Sequence, residues 1–133
     1  MSFNRKFIVI VALVAVVVAG VGATGHAGSG EQFTNLRVLP KNISSKTLTK
    51  IMIDDFEDGL GVGCNFCHAE DKDSHKPDYA SDAKPEKSMA RAMMRMTIKL
   101  NRKYFQLKHP LLGDSSLAIN CSTCHHGQPR PGE

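Results

Sequence analysis

Two pentapeptides in this 133-residue chain carry residue types able to hold a redox cofactor. They are Cys64-Asn65-Phe66-Cys67-His68 and Cys121-Ser122-Thr123-Cys124-His125, and both read C-x-x-C-H. Two thiols one helical turn apart can each form a thioether to the vinyl groups along one edge of a porphyrin. The adjoining His then lies under the ring with its imidazole within reach of the iron, so the pattern is the signature of c-type haem attachment. Three plainer readings explain less. Zinc binding by two C-x-x-C pairs conflicts with the gap from Cys67 to Cys121, far beyond the ~15–20 residues between zinc-binding pairs. A thiol-redox pair belongs in a βαβ frame, and no such pattern surrounds either motif. Structural disulfides suit an exported protein, but none of the three accounts for a His directly after each pair. Two covalently bound haem c groups are therefore expected, with Cys64, Cys67, Cys121 and Cys124 as attachment points and His68 and His125 as iron ligands.

A sixth ligand must come from elsewhere in the chain. A Met thioether opposite His raises the reduction potential and closes the iron to outside ligands. Met52 lies on the apolar face of a helical pattern shortly before Cys64, and a glycine turn lets the chain double back. For the second motif Met89, Met93 and Met96 share one stripe and compete on equal terms, while Met94 lies off it. Each Met has core packing as its plainer reading. Of the remaining histidines, His126 adjoins His125 and cannot easily reach the opposite haem face; His75 and His109 fall in polar or irregular segments.

The elements that must position these groups follow from the pattern. Ser44 or Ser45 caps a helix on which Leu48, Ile51, Met52 and Phe56 recur at helical spacing. Gly59, Gly61 and Gly63 end it with a permissive turn before Cys64. Residues 69–84 form a charged, solvated loop. A longer helix starts near Asp82, with Pro85 in its first turn and an apolar stripe of Met89, Met93, Met96, Leu100 and Tyr104. His109-Pro110 ends the pattern, and a looser stretch leads to Cys121. The segment 33–39 suits extended backbone ended by Pro40. The chain thus repeats helix, connector and cysteine motif twice. The expected fold is mainly α: a small two-haem domain of two helix–turn–CxxCH units, with the haems forming much of the core.

Composition agrees. Aromatic residues make up 6% of the chain and Trp is absent, so buried area must come from another source. Arg5 and Lys6 precede an unbroken apolar run, residues 7–23, followed by small residues. That is an export signal; its length admits either cleavage or retention as a membrane anchor. Residues 1–27 are accordingly assigned to a signal peptide or anchor and 28–133 to the di-haem domain, in the periplasm or at the outer face of the cytoplasmic membrane. The formal charge of +4 is partly due to the leader. The sequence shows neither a basic stripe nor an RNA-reading aromatic motif, which argues against nucleic-acid binding.

The motif-bearing residues resemble the tetrahaem cytochrome subunit of photosynthetic reaction centres. The resemblance rests on Asn35-Leu36-Arg37-Val38-Leu39, Met52, Gly63 with the first C-x-x-C-H, residues 90–97 with Asn101, and the second motif with His126-Gly127 and the prolines behind it. It covers one two-haem half of that subunit. It implies helix–turn–CxxCH units with a haem along each helix, Met52 as sixth ligand of the first iron and Met93, the first Met of a Met-x-x-Met-Thr element, as that of the second. His126 replaces the family's usual Arg, and the connector from Met93 to Cys121 is longer.

The expected function is single-electron transfer with membrane-associated redox protein partners and no chemistry on a substrate. The alternatives are a small peroxidase-like haem enzyme, which needs an open iron beside an acid–base residue such as His75 or His109, and a haem-bearing subunit of a larger membrane complex or filament.

Overall fold

The computed structural model describes residues 33–132, which all lie in the unit Glu31–Glu133. The leader, with its signal or anchor, falls outside the described residues. Helices supply nearly all the regular structure. Helix α1 (Ser45–Lys50) starts where the Ser44 hydroxyl accepts the Thr47 amide at 3.1 Å, an N-cap. It runs directly into a π-helical segment, Ile51–Asp58, whose wider turn carries Met52 and Asp55. Gly59 caps that segment, and Gly61, at φ +65°, reverses the chain. A 3₁₀ turn, Cys64–Phe66, holds the first motif.

The charged segment is more ordered than its composition suggests. Strands β1 (Ala69–Glu70) and β2 (Pro77–Asp78) pair antiparallel, with Ala69 opposite Asp78 and Glu70 opposite Pro77. The Asp71 carboxylate closes the loop between them by accepting the Ser74 amide and hydroxyl, which holds its pKa below the usual carboxylate range. Helix α2 (Pro85–Tyr104) begins with Pro at its first position and ends five residues before His109. Helix α3 (Cys121–His125) carries the second motif. A reciprocal capping box between Asn120 and Thr123 starts it, and His126 in the left-handed region ends it. Residues 33–39 are irregular rather than extended: Asn35 has φ +66° and reaches across the fold instead of pairing in a ladder.

The polypeptide core is small. Among the described residues the buried hydrophobics are Leu39, Ile51, Met94 and Leu112, with Val38, Ile43, Leu48, Met52, Phe56, Ile98 and Leu117 packed around them. The face of α2 turned to this core carries Lys87, Met94, Thr97 and Asn101. The stripe that periodicity marks as core is turned elsewhere: Met89 and Tyr104 are each 63% exposed and Met96 45%. Helix α2 therefore has one face packed against protein and an apolar face left uncovered.

Candidate functional site: a cleft between α2 and the second cysteine motif

The uncovered stripe lines a cleft of about 630 Å³, within the range of cofactor sites. Met89, Met93 and Met96 form one wall with Thr97 and Leu100; Cys121, Cys124 and His125 of α3 form the other, and Phe66 and Cys67 enter from the first motif. The structure thus brings together Met93, Cys121, Cys124 and His125, all expected around one iron. Of the site residues assigned to the first motif, Cys67 lines this cleft; Met52 packs against the core instead.

Two buried polar side chains hold the second motif in place. Asn101 is fully buried on α2. Its amide nitrogen donates to the carbonyls of Thr97 at 3.0 Å and Ile119 at 2.7 Å, and its oxygen accepts the amides of Ala118 and Ile119 at 2.9 and 3.2 Å. The segment leading into Cys121 is thereby fixed to the helix two turns beyond Met93. From the other side the end of the π-helical segment presses on α3. A Cβ on Gly59 would lie 3.3 Å from Cys121 Cβ, and a Cβ on Gly61 only 2.2 Å from the Gly127 carbonyl oxygen. The Gly127 amide donates to the Gly59 carbonyl at 3.1 Å. At Gly61 the crossing accepts nothing larger than hydrogen.

His125 is oriented as an iron ligand needs to be. Its Nδ1 donates to the Gln128 carbonyl at 2.9 Å, which leaves Nε2 free to coordinate. His68 meets the Tyr79 ring edge-on at 5.1 Å, and its Nδ1 is buried without a well-formed hydrogen bond. Burial, followed by the nearby Lys87 ammonium, lowers the His68 pKa and favours the neutral imidazole that binds metal. Lys87 is itself held by the carbonyls of Tyr79 at 2.7 Å and Ser81 at 2.6 Å. Beside it Asp82 pairs with Arg91 at 2.7 Å and Arg37 at 2.9 Å, while the Asn35 side chain donates to Asp82 and to the Ala80 carbonyl. The Arg91 hydrogen bond, foremost, keeps the Asp82 carboxyl below its usual range.

The thiols do not suit redox or zinc chemistry on their own. Burial pushes Cys121 up to about 11, with the Asp55 carboxyl adding to the effect, and burial also raises Cys67. Reactive thiols require the opposite shift. No disulfide joins the four cysteines, and no group of three or more His, Cys, Asp or Glu converges as a metal site among the described residues. The donor set of the cleft instead fits a covalently held haem: paired thiols, one directed imidazole, one thioether and apolar walls. His75 lies 2.7 Å from Glu70 on the exposed hairpin, His109 is exposed, and neither lines the cleft.

Sequence reasoning passed over Asn101 as an anchor, Lys87 as a buried cation and Asp55. The last is buried with Oδ2 unpartnered, and desolvation raises its pKa. A lone polar residue inside an apolar helical pattern is the signal Asn101 offers. The sequence also conceals a basic surface. Its cations are interleaved with apolar residues, but folding gathers Arg95, Lys99, Arg102 and Lys103 along one exposed face of α2.

Comparison with known proteins points to the same cofactor class. The family model of the photosynthetic reaction centre cytochrome c subunit matches residues 7–133. Over 71 residues the chain is 37% identical to the photosynthetic reaction center cytochrome c subunit of Rubrivivax gelatinosus, covering 53% of this chain and 16% of that protein. Over 95 residues it is 30% identical to cytochrome c-554 of Chloroflexus aurantiacus, covering 71% of this chain and 20% of that protein. The chain spans no more than about a fifth of the length of these curated relatives. No solved structure matches it. No helix among the described residues is long and apolar enough to cross a membrane. With its family match running through both C-x-x-C-H motifs, the chain belongs to the photosynthetic reaction centre cytochrome c subunit family, a family of multihaem electron-transfer cytochromes c.

Proposed function

We propose that the chain is an extracytoplasmic electron carrier with two covalently bound haem c groups and no substrate chemistry of its own. Thioethers form at Cys64 and Cys67 and at Cys121 and Cys124. His68 and Met52 would hold one iron, and His125 and Met93 the other. The observation that carries this reading is the cleft in which Met93 faces Cys121, Cys124 and His125 across apolar walls. Its extent matches the shortfall in the core, where four buried hydrophobic side chains serve the described residues. The first site rests on the repeated motif and on the family match.

When bound, haem supplies reversible one-electron chemistry at iron. The chain's residues orient and tune that chemistry. Gln128 fixes the His125 ring, Asn101 fixes the register of α3 against Met93, and the methionine wall excludes water. A redox role in a larger membrane assembly keeps the same chemistry and changes only the partner.

Intact mass spectrometry of protein made in a host competent for cytochrome maturation tests the proposal. The expected mass exceeds that of the polypeptide by two haems, and the oxidised protein shows a Met–iron charge-transfer band. A mass equal to the bare polypeptide overturns it; two haems without the band overturn the His/Met assignment. The same spectrum locates the mature N-terminus and so separates a cleaved signal from a retained anchor.

A further inference from the structure

Charge is unevenly placed in this molecule. Helix α2 carries six cations against the single acid Glu86, whereas the other described residues carry nine cations against ten acids. Two of the six, Lys87 and Arg91, are turned inward and engaged by Asp82. The other four, Arg95, Lys99, Arg102 and Lys103, are exposed and line a shallow depression with Ile98 at its floor. None of the four pairs with a carboxylate among the described residues; Arg95 reaches only the Arg91 carbonyl, and Lys103 lies over the Tyr104 ring at 5.0 Å. Four cations without a carboxylate partner within about three helical turns repel one another.

Their position relative to the cleft is what gives them a use. Lys99 follows Met96 by three residues and Lys103 by seven, so they border Met96 on the helix surface. Met96 and Met89 are the exposed rim of the cleft. We propose that this basic face of α2 docks an acidic protein that exchanges single electrons with the chain, seating it against the Met89–Met96 rim. The proposal rests on the electron-carrier reading of the same cleft. An acidic protein suits the geometry better than an anionic bilayer, because a redox protein covering the rim can exchange an electron there and a bilayer covering it cannot. The step itself is simple. One electron leaves the reduced partner, which is oxidised, and a ferric iron of this chain takes it up, with no proton or bond transferred. Complementary charge raises the encounter rate, and salt screens it.

The test uses the full two-haem protein, with haem count and Met–iron band established first so that failure of the cofactor assignment is recognised separately. Reduction by an acidic plant-type ferredoxin, followed by stopped flow, is expected to slow by about tenfold or more between about 20 mM and about 300 mM salt. The triple variant Arg95→Glu, Lys99→Glu, Lys103→Glu should lose that dependence and react about tenfold more slowly at low salt. Reduction by an uncharged quinol should be unchanged in it. The milder Lys99→Gln, Lys103→Gln pair, which does not reverse charge, should fall between. A flat salt profile in the unaltered protein, or equal ferredoxin rates in unaltered and reversed proteins, overturns the proposal. So does binding to phosphatidylglycerol vesicles that needs the same residues while ferredoxin kinetics do not.

Discussion

At the residue scale, Met93, the proposed ligand, and its neighbours show how the wall of a site would differ from its ligand. Met89, Met93 and Met96 all line the cleft, yet only one thioether can occupy a given iron. Replacing Met93 with Ala should remove about half of the Met–iron charge-transfer absorbance and lower the potential of one haem, whereas Met89→Leu and Met96→Leu should leave the band intact. Absorption spectroscopy of the oxidised variants decides between the three. Asp55 gives a pH prediction. Its pKa is raised because burial disfavours the charged form, so its ionisation opposes folding. Stability is greatest while Asp55 is protonated and declines as pH rises from the ordinary carboxylate value through the raised one. Asp55→Asn retains an acceptor for the Gly113 amide without the charge. It should therefore stabilise the protein by on the order of 1 kcal/mol at neutral pH and by nothing in acid, as read from denaturant midpoints at two pH values.

At the scale of elements, the anchor between α2 and the second motif makes the sharpest prediction. Asn101→Ala strands two amides and a carbonyl of the 118–119 segment, and its expected cost is about 3 kcal/mol. If Asn101 sets the register of α3, the variant should also lose the Met93 part of the charge-transfer band at temperatures where it remains folded. At the glycine crossing, Gly61→Ala adds a Cβ at a positive φ against the Gly127 carbonyl, a change worth about 2–3 kcal/mol by thermal unfolding. The elements were largely legible from sequence, because caps and periodicity act locally: Ser44, Pro85 and the glycine turn all mark real boundaries. The role of the α2 stripe was not. Periodicity locates an apolar face but not what covers it, so Met94, off the stripe, is core and Met96, on it, is exposed. The reach of Asn35 to Ala80 and Asp82 and the lock at Asn101 depend on chain segments far apart in sequence, and no local pattern announces them. The thiols and imidazoles proposed as the site could be named without the fold, since each C-x-x-C-H motif lies in five consecutive residues.

At the scale of the molecule, a core this small would make the fold depend on haem if haem fills the cleft as proposed. Protein produced without haem maturation should keep some helix but lose cooperative unfolding, with exposed apolar surface detectable by dye binding. A sharp calorimetric transition in such material would show that the polypeptide packs adequately alone. On the two-haem reading, two cofactors share one short domain; much of the buried area would then lie on the prosthetic groups and the chain would clamp them.

The glycine crossing between residues 61 and 127 also bears on biogenesis. It shuts a long loop that contains the first motif, the hairpin and the whole of α2, and at its seam Gly59 lies against Cys121. Cys64 and Cys124 are exposed with the seam closed, whereas Cys121 is half-buried against it. On the two-haem reading, attachment at Cys121 is therefore expected to come before α3 docks against the first helix.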